Sequence, residues 1–354
     1  MKKLLVLVSV LLVAFTLTGC QNSTEKLYVL NWGEYMDMDL VYEFEQTFDV
    51  DVVYEEVGSN EEMEVKIKSG VTSYDIAIPS EYMVDKLRQQ DLLNTIDESK
   101  LDALNDVSIK ADVQALTNDK EYDPYFVPYF YGTIGIMYNM DTVSENDLTG
   151  WDILFSNDHG YKLGMYDSAR DALASALLYL NEDVNTADEA ILNNAKDALM
   201  NTTYEVFGED NLKGLVQSGN LDLALVYSGD YFDQMYQVEA DGGEVNFGYY
   251  VPETTNIWVD GFVIPTTSEN TDLAHEFINF FLDVDRNVQN ADYVGYASTL
   301  EEAYAVLASD EYGYEEYENY NPYPAGSNRV LYQFVSEDRF TRLNDILNEV
   351  KANQ

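Results

Sequence analysis

From residue 27 onward, short apolar runs alternate with segments whose apolar positions recur every three or four residues. Residues 27–31 predict a strand. Within 39–48, Leu40, Val41, Phe44 and Phe48 fall on one helical face. Val50, Val52 and Tyr54 alternate as a strand does. Asn60 is placed to cap a helix running through Lys68, and 74–78 predict a buried strand that Pro79 breaks. Ser80 then offers a cap for the next helix. This β-α-β-α order predicts an α/β unit with a largely parallel sheet.

The character changes over 125–139, which is rich in Tyr, Pro and Gly and turns strand-like at 133–138. The chain is expected to cross there into a second lobe. That lobe receives a helix after Ser168, carrying Leu173, Ala176, Leu177 and Leu180, and strands at 223–227 and 245–251. A strand over 256–265 leads back. Residues 272–282, with Leu273, Phe277, Ile278 and Phe281 on one face, predict a helix of the first lobe. A final helix from about Arg339 returns to the second. The expected division is 27–132 with 262–304, and 133–261 with 305–350. A length of 354 residues suits two domains. The acidic, tyrosine-rich run 310–320 reads as a solvated loop.

The N-terminus is Met1-Lys2-Lys3, an apolar run over 4–17, then Thr18-Gly19-Cys20. Basic residues, a short apolar core and small residues predict a signal peptide over 1–19. The run is shorter than the roughly 20 residues a spanning helix needs. Leu17-Thr18-Gly19-Cys20 resembles the lipobox of bacterial lipoproteins. That resemblance implies lipidation of Cys20, a tether over 20–26, and an extracytoplasmic body held to the cell membrane by its lipid anchor alone.

Charge narrows the partners. The chain has 65 acidic and 19 basic residues, for a net charge of −46. Such a surface repels nucleic acid and anionic lipid. With 46% apolar residues it still builds a core. The acidity serves either a cationic ligand or solubility. Dinucleotide, Walker, nucleophile-elbow and zinc-protease motifs are absent. His159 sits in a turn-like stretch and His275 in an amphipathic helix, so no Ser-His-Asp triad is supported. The one cysteine permits neither a disulfide nor a Cys-zinc site. A hydrolase using two carboxylates stays open, but 65 acids produce such pairs by chance.

Several predicted strand ends carry an aromatic beside a carboxylate or hydroxyl. They are Trp32-Gly33-Glu34-Tyr35, Pro79-Ser80-Glu81-Tyr82, Asp167-Ser168-Ala169-Arg170-Asp171, Tyr227 and Trp258-Val259-Asp260. Ligands of open α/β sheets bind beyond the carboxyl ends of strands. Each segment also has a local reading. Trp32 and Trp258 suit a core, Ser80 a cap, and Glu34 a solvated turn. Ser168-x-x-Asp171 fits an acidic capping box, and Asp260-Gly261 fits a hairpin turn.

In these segments apart from Tyr227, where the family often has tryptophan, and in Ser59-Asn60-Glu61-Glu62-Met63, Tyr74-Asp75-Ile76-Ala77-Ile78 and Val294-Gly295-Tyr296, the sequence resembles the spermidine/putrescine-binding proteins of ABC importers. Their order and spacing carry the resemblance over nearly all of the chain after the leader. It implies a two-lobed periplasmic-binding-protein fold, α/β, with a ligand cleft between lobes joined by crossing strands. It implies a monomeric receptor rather than an enzyme, without cofactor or metal, that hands a polyamine to an ABC permease and its ATPase subunits. The residues implied to bind ligand are Trp32, Glu34, Tyr35, Ser80, Tyr82, Asp171, Tyr227, Trp258, Asp260, Tyr296 and Gln333. Ser168 departs from the pattern, for the family often has an acid there. The chemistry is compatible: methylenes suit aromatic walls, and ammoniums suit carboxylates, hydroxyls and ring faces. Another small organic cation, or an amino-acid-like solute, is the alternative ligand for the same fold.

Overall fold

The computed structural model describes residues 24–117, 123–317 and 319–354. The expected signal peptide, Cys20 and most of the expected tether lie outside the described residues. The chain opens with β1 (Glu25–Trp32), α1 (Met38–Phe48), β2 (Val50–Val57), α2 (Asn60–Ser69), β3 (Ile76–Ala77) and α3 (Glu81–Gln89), in the order the periodicity predicts. β1 lies between β2 and β3 and runs parallel to both. Short β4 (Leu93–Asn94) and α4 (Ala111–Thr117) lead to the long β5 (Val127–Asn139).

β6 (Leu163–Tyr166), α5 (Ala169–Tyr179), α6 (Glu189–Asn201), β7 (Val206–Gly208), α7 (Asn211–Gln217), β8 (Leu223–Tyr227), α8 (Ser228–Ala240) and β9 (Phe247–Tyr250) follow. The return begins with β10 (Thr254–Phe262) and β11 (Ile264–Pro265), then α9 (Thr271–Phe281), α10 (Val284–Val294), β12 (Ala297–Ser298) and α11 (Glu301–Leu307). β13 (Asn328–Leu331) and α12 (Glu337–Lys351) end the chain, and α12 packs on α5 and α6.

The larger sheet has the order β13-β10-β5-β8-β6-β7, with β9 and β12 also paired to β5. It is mixed, whereas the three-stranded sheet of the first unit is parallel as its β-α-β-α order predicts. β10, β8, β9 and β12 all run antiparallel to β5, while β6 is parallel to β7 and β8. β5 is its hub. Residues 127–133 pair with β10, and 134–138 with β8. One uninterrupted strand thus serves both halves of the fold, and β10 returns beside it. β5 is buried along nearly its whole length, which is why it lacks the alternation of a half-solvated strand.

Local details correct the predicted pattern. Ser59 caps α2, accepting from the Glu62 amide at 3.1 Å; Asn60 is buried and bonds Ser80 instead. Ser80 holds the N-cap position of α3 without making the side-chain cap bond. β10 runs straight through Asp260-Gly261, with a register shift between them against β5, so no hairpin turn forms. His275 is structural, accepting from the Asp97 amide at 2.9 Å. The 310–320 run is not simply solvated. Tyr314 and Tyr320 are buried against Phe232, Tyr236 and Tyr304, and the exposed positions among the described residues of the run are Asp310, Glu311 and Glu315.

Candidate functional site

A cleft of about 880 Å³ is lined by residues that follow β1, β2, β3, β6, β8 and α10, and by β10 itself. Its wall is a ladder of edge-on aromatic rings. Tyr166 meets Tyr227 at 5.0 Å between centroids, Tyr227 meets Trp258 at 6.0 Å, Trp258 meets Tyr296 at 5.0 Å, and Tyr296 meets Tyr35 at 5.4 Å. Two glycines make the ladder possible. A Cβ on Gly132 would stand 2.5 Å from the Trp258 ring, and one on Gly229 would stand 2.3 Å from Tyr296.

Asp260, on β10, is 5% exposed, and its Oδ1 has no hydrogen-bond partner among the described residues. Burial pushes its carboxyl up to about 7; the hydroxyls of Ser80 and Tyr35 and the Arg170 charge offset only part of this. The Trp258 indole nitrogen is likewise buried and unpartnered among the described residues, and the Tyr35 hydroxyl faces Asp260 without closing a hydrogen bond of ordinary geometry. Glu81, at the start of α3, accepts from the Val259 amide at 2.9 Å. Burial pushes Glu81 up to about 8.

Asp171 is also buried, yet its carboxylate is fully engaged. It accepts from the Tyr227 hydroxyl at 2.8 Å and from Tyr332 at 3.0 Å. The Asp171 amide donates to Ser168 Oγ at 3.3 Å, so Ser168 caps α5 while the acid faces the tyrosines. The Arg170 guanidinium lies 3.8 Å from Asp171, 4.2 Å over the Tyr82 ring and 4.7 Å over the Tyr332 ring. Asp167 pairs outward with Lys351.

At another part of the cleft, Asp230 in the first turn of α8 faces Lys213, with Asp210 and Asp233 close by. Burial first, and the Asp210 charge second, raise its carboxyl above the usual range. Its Oδ2 has no partner among the described residues.

The structure brings Trp32, Glu34, Tyr35, Ser80, Asp171, Tyr227, Trp258, Asp260 and Tyr296 to this one cleft. Two expected residues do not line it. The Tyr82 ring packs under Arg170 and its hydroxyl donates to Glu61 at 3.0 Å. Gln333 is exposed, its amide bonded to Asn185; Tyr332, one position earlier, reaches the cleft. An offset of one residue on extended chain exchanges the two faces. The sequence reading also missed Tyr166, Arg170, Lys213 and Asp230. Asp230 had a signal: Tyr227-Ser228-Gly229-Asp230 places an acid in a helix's first turn after a strand end, as 166–171 does. Among the described residues, no cluster of His, Cys, Asp and Glu is placed to hold a metal ion.

The family model of bacterial extracellular solute-binding proteins matches residues 39–320. The chain belongs to this family. Among its relatives is the spermidine/putrescine-binding periplasmic protein of Escherichia coli, 31% identical over 283 residues, covering 78% of each chain. A solved spermidine/putrescine ABC transporter substrate-binding protein of Streptococcus pneumoniae is 31% identical, with a TM-score of 0.73 over 93% of this chain and 99% of that one. The TpPotD lipoprotein of Treponema pallidum is 29% identical, with a TM-score of 0.76 over 92% and 99%. This solute-binding protein therefore has the two-lobed α/β fold the resemblance implied, and its cleft lies where the two crossing strands meet.

Proposed function

We propose that this solute-binding protein is the receptor subunit of an ABC importer for a polyamine, putrescine or spermidine. The observation that carries this reading is the pairing of an aromatic ladder with Asp260, a buried carboxylate whose Oδ1 has no partner among the described residues. A buried carboxylate lacking a donor is costly, and a bound ammonium supplies both charge and hydrogens. The rings of Trp258, Tyr227, Tyr296 and Tyr35 then flank the methylenes, with Trp32, Ser80 and Glu34 completing the walls. The relatives named for spermidine and putrescine support this choice of cation.

Asp171 serves one step back. Its two tyrosine donors fix the ladder, and its charge holds Arg170. Asp230 adds a carboxylate at the far part of the cleft, where it is shared with Lys213. Closure of lobe 27–132 with 262–304 onto lobe 133–261 with 305–350 bends β5 and β10 and excludes water, which strengthens the pairing. The permease and its ATPase subunits then read the closed, monomeric receptor. A lipid on Cys20 holds the body at the outer side of the cell membrane. No bond is made or broken in the ligand.

Calorimetric titration of the chain from residue 21 onward with putrescine, spermidine and a neutral sugar tests the reading. Heat is expected with at least one polyamine at micromolar concentration and none with the sugar. Silence with both amines would sink it.

A further inference from the structure

The cleft already contains one ammonium of its own. Lys213 reaches into it from α7, and its side chain is 13% exposed. Its Nζ lies 2.6 Å from Asp233 Oδ2, 3.8 Å from Glu34 Oε2 and 3.9 Å from Asp230 Oδ1. Asp233 is further fixed by the Gln237 amide at 2.8 Å. Glu34 belongs to the turn after β1, whereas Asp230 and Asp233 belong to α8, so Lys213 binds across the mouth of the cleft. The surrounding acids outweigh the burial that would discharge it, and Lys213 stays cationic. Its stem is four methylenes ending in an ammonium, the fragment that ends a putrescine chain. No sequence motif drew attention to this residue.

From this geometry we infer that Lys213 is a tethered surrogate for the last ammonium of a longer polyamine, and that it sets the receptor's preference for ligand length. The inference rests on the polyamine reading above. With Lys213 in place, the acids around it are partly neutralised. A diamine that spans the ladder leaves that arrangement intact. The extra aminopropyl arm of a triamine enters a region already holding a cation, and must repel or displace it. Removing the lysine charge leaves Glu34, Asp230 and Asp233 without their common cation. A third ligand ammonium then gains more than a second one does.

The test is the ratio of spermidine to putrescine dissociation constants, measured by calorimetry on the same preparation. Using the ratio cancels any general change in affinity or closure. Lys213→Gln is expected to move the ratio at least tenfold toward spermidine. Lys213→Met, which keeps the apolar stem, should do the same, and Lys213→Arg should keep the wild-type ratio. Melting curves without ligand verify that each variant folds. A Gln or Met variant whose ratio is unchanged, or shifted toward putrescine, overturns the inference and leaves the polyamine reading standing. A wild-type chain that binds neither amine overturns that reading itself.

Discussion

Asp171 and Asp260 make an instructive pair. Both are buried carboxylates lining one cleft, one in the first turn of α5 and the other on β10. Around Asp171 the protein supplies two tyrosine hydroxyls and a guanidinium. Around Asp260 it leaves Oδ1 without a partner among the described residues, and burial pushes the carboxyl up to about 7. Depth alone therefore does not make a binding carboxylate. The residue whose hydrogen-bonding demand the fold leaves unmet is the one a ligand can reward. The satisfied residue stiffens the wall against which the ligand lies.

This contrast predicts that equivalent substitutions act on different observables. Asp260→Asn should weaken polyamine binding by roughly 2–5 kcal/mol, because a desolvated ammonium loses its carboxylate. Calorimetry reads this directly, and unchanged affinity would remove Asp260 from the site. Asp171→Asn should instead lower folding stability by about 1.5–3 kcal/mol, the range for hydrogen bonds to a charged group. Chemical denaturation measures it. If Asp171→Asn left stability intact and abolished binding, the division of labour would be reversed.

Acidity sharpens the same distinction. The ammoniums of a polyamine keep their charge across the acid range, so the response comes from the raised carboxyls, Asp230 and Glu81 among them, and chiefly from Asp260. Below about pH 7 it is protonated in the free protein, and affinity should fall by up to about 1.4 kcal/mol for each further pH unit. Stability of the free protein should run the other way. The folded carboxyl keeps a proton between its ordinary 3.8 and about 7 that the unfolded one has lost, so stability falls as pH rises through that window. Bound amine reverses the loss. Asp260→Asn should flatten this contribution in melts at successive pH values.

Smaller effects belong to the walls. Trp258→Leu should cost binding about 0.5–2 kcal/mol, the worth of a cation–π contact. Glu34→Gln should change putrescine affinity by about threefold or less, since its side chain is 80% exposed and screened by water. A larger effect of Glu34 than of Trp258 would move the ligand toward Lys213 and away from the ladder.

Much of the fold was legible because apolar periodicity follows directly from what each element buries. α1 and α9 place Phe44, Phe277 and Phe281 in the core as their spacing implies. The mixed sheet was not legible, because strand direction depends on where β5 and β10 cross, and no local pattern encodes that. Trp258 and Asp260 were found through their resemblance to a known family. The local reading of Asp260-Gly261 as a hairpin turn was reasonable and incorrect, for a bulge rather than a turn absorbs the glycine. Gln333 was misplaced by one residue, an error that matters only on extended chain. Lys213 had no local signature, since it acts through partners distant in sequence; Arg170 lay in a segment singled out for its acids and hydroxyl and was not read as a site residue. The net charge of −46 suited a cationic ligand or solubility alike; on the proposed reading a few buried oxygens do the selecting.

The most direct test of the central claim is proton release on binding. Putrescine is titrated at pH 6 into the wild-type chain and into Asp260→Asn, in two buffers of different ionisation enthalpy. At that pH Asp260 is mostly protonated in the free protein and must ionise to hold an ammonium, so binding should expel about one proton. The Asn variant should expel correspondingly less. Tight wild-type binding without proton release, or release unchanged in Asp260→Asn, would contradict the assignment of Asp260 as the carboxylate that receives the amine.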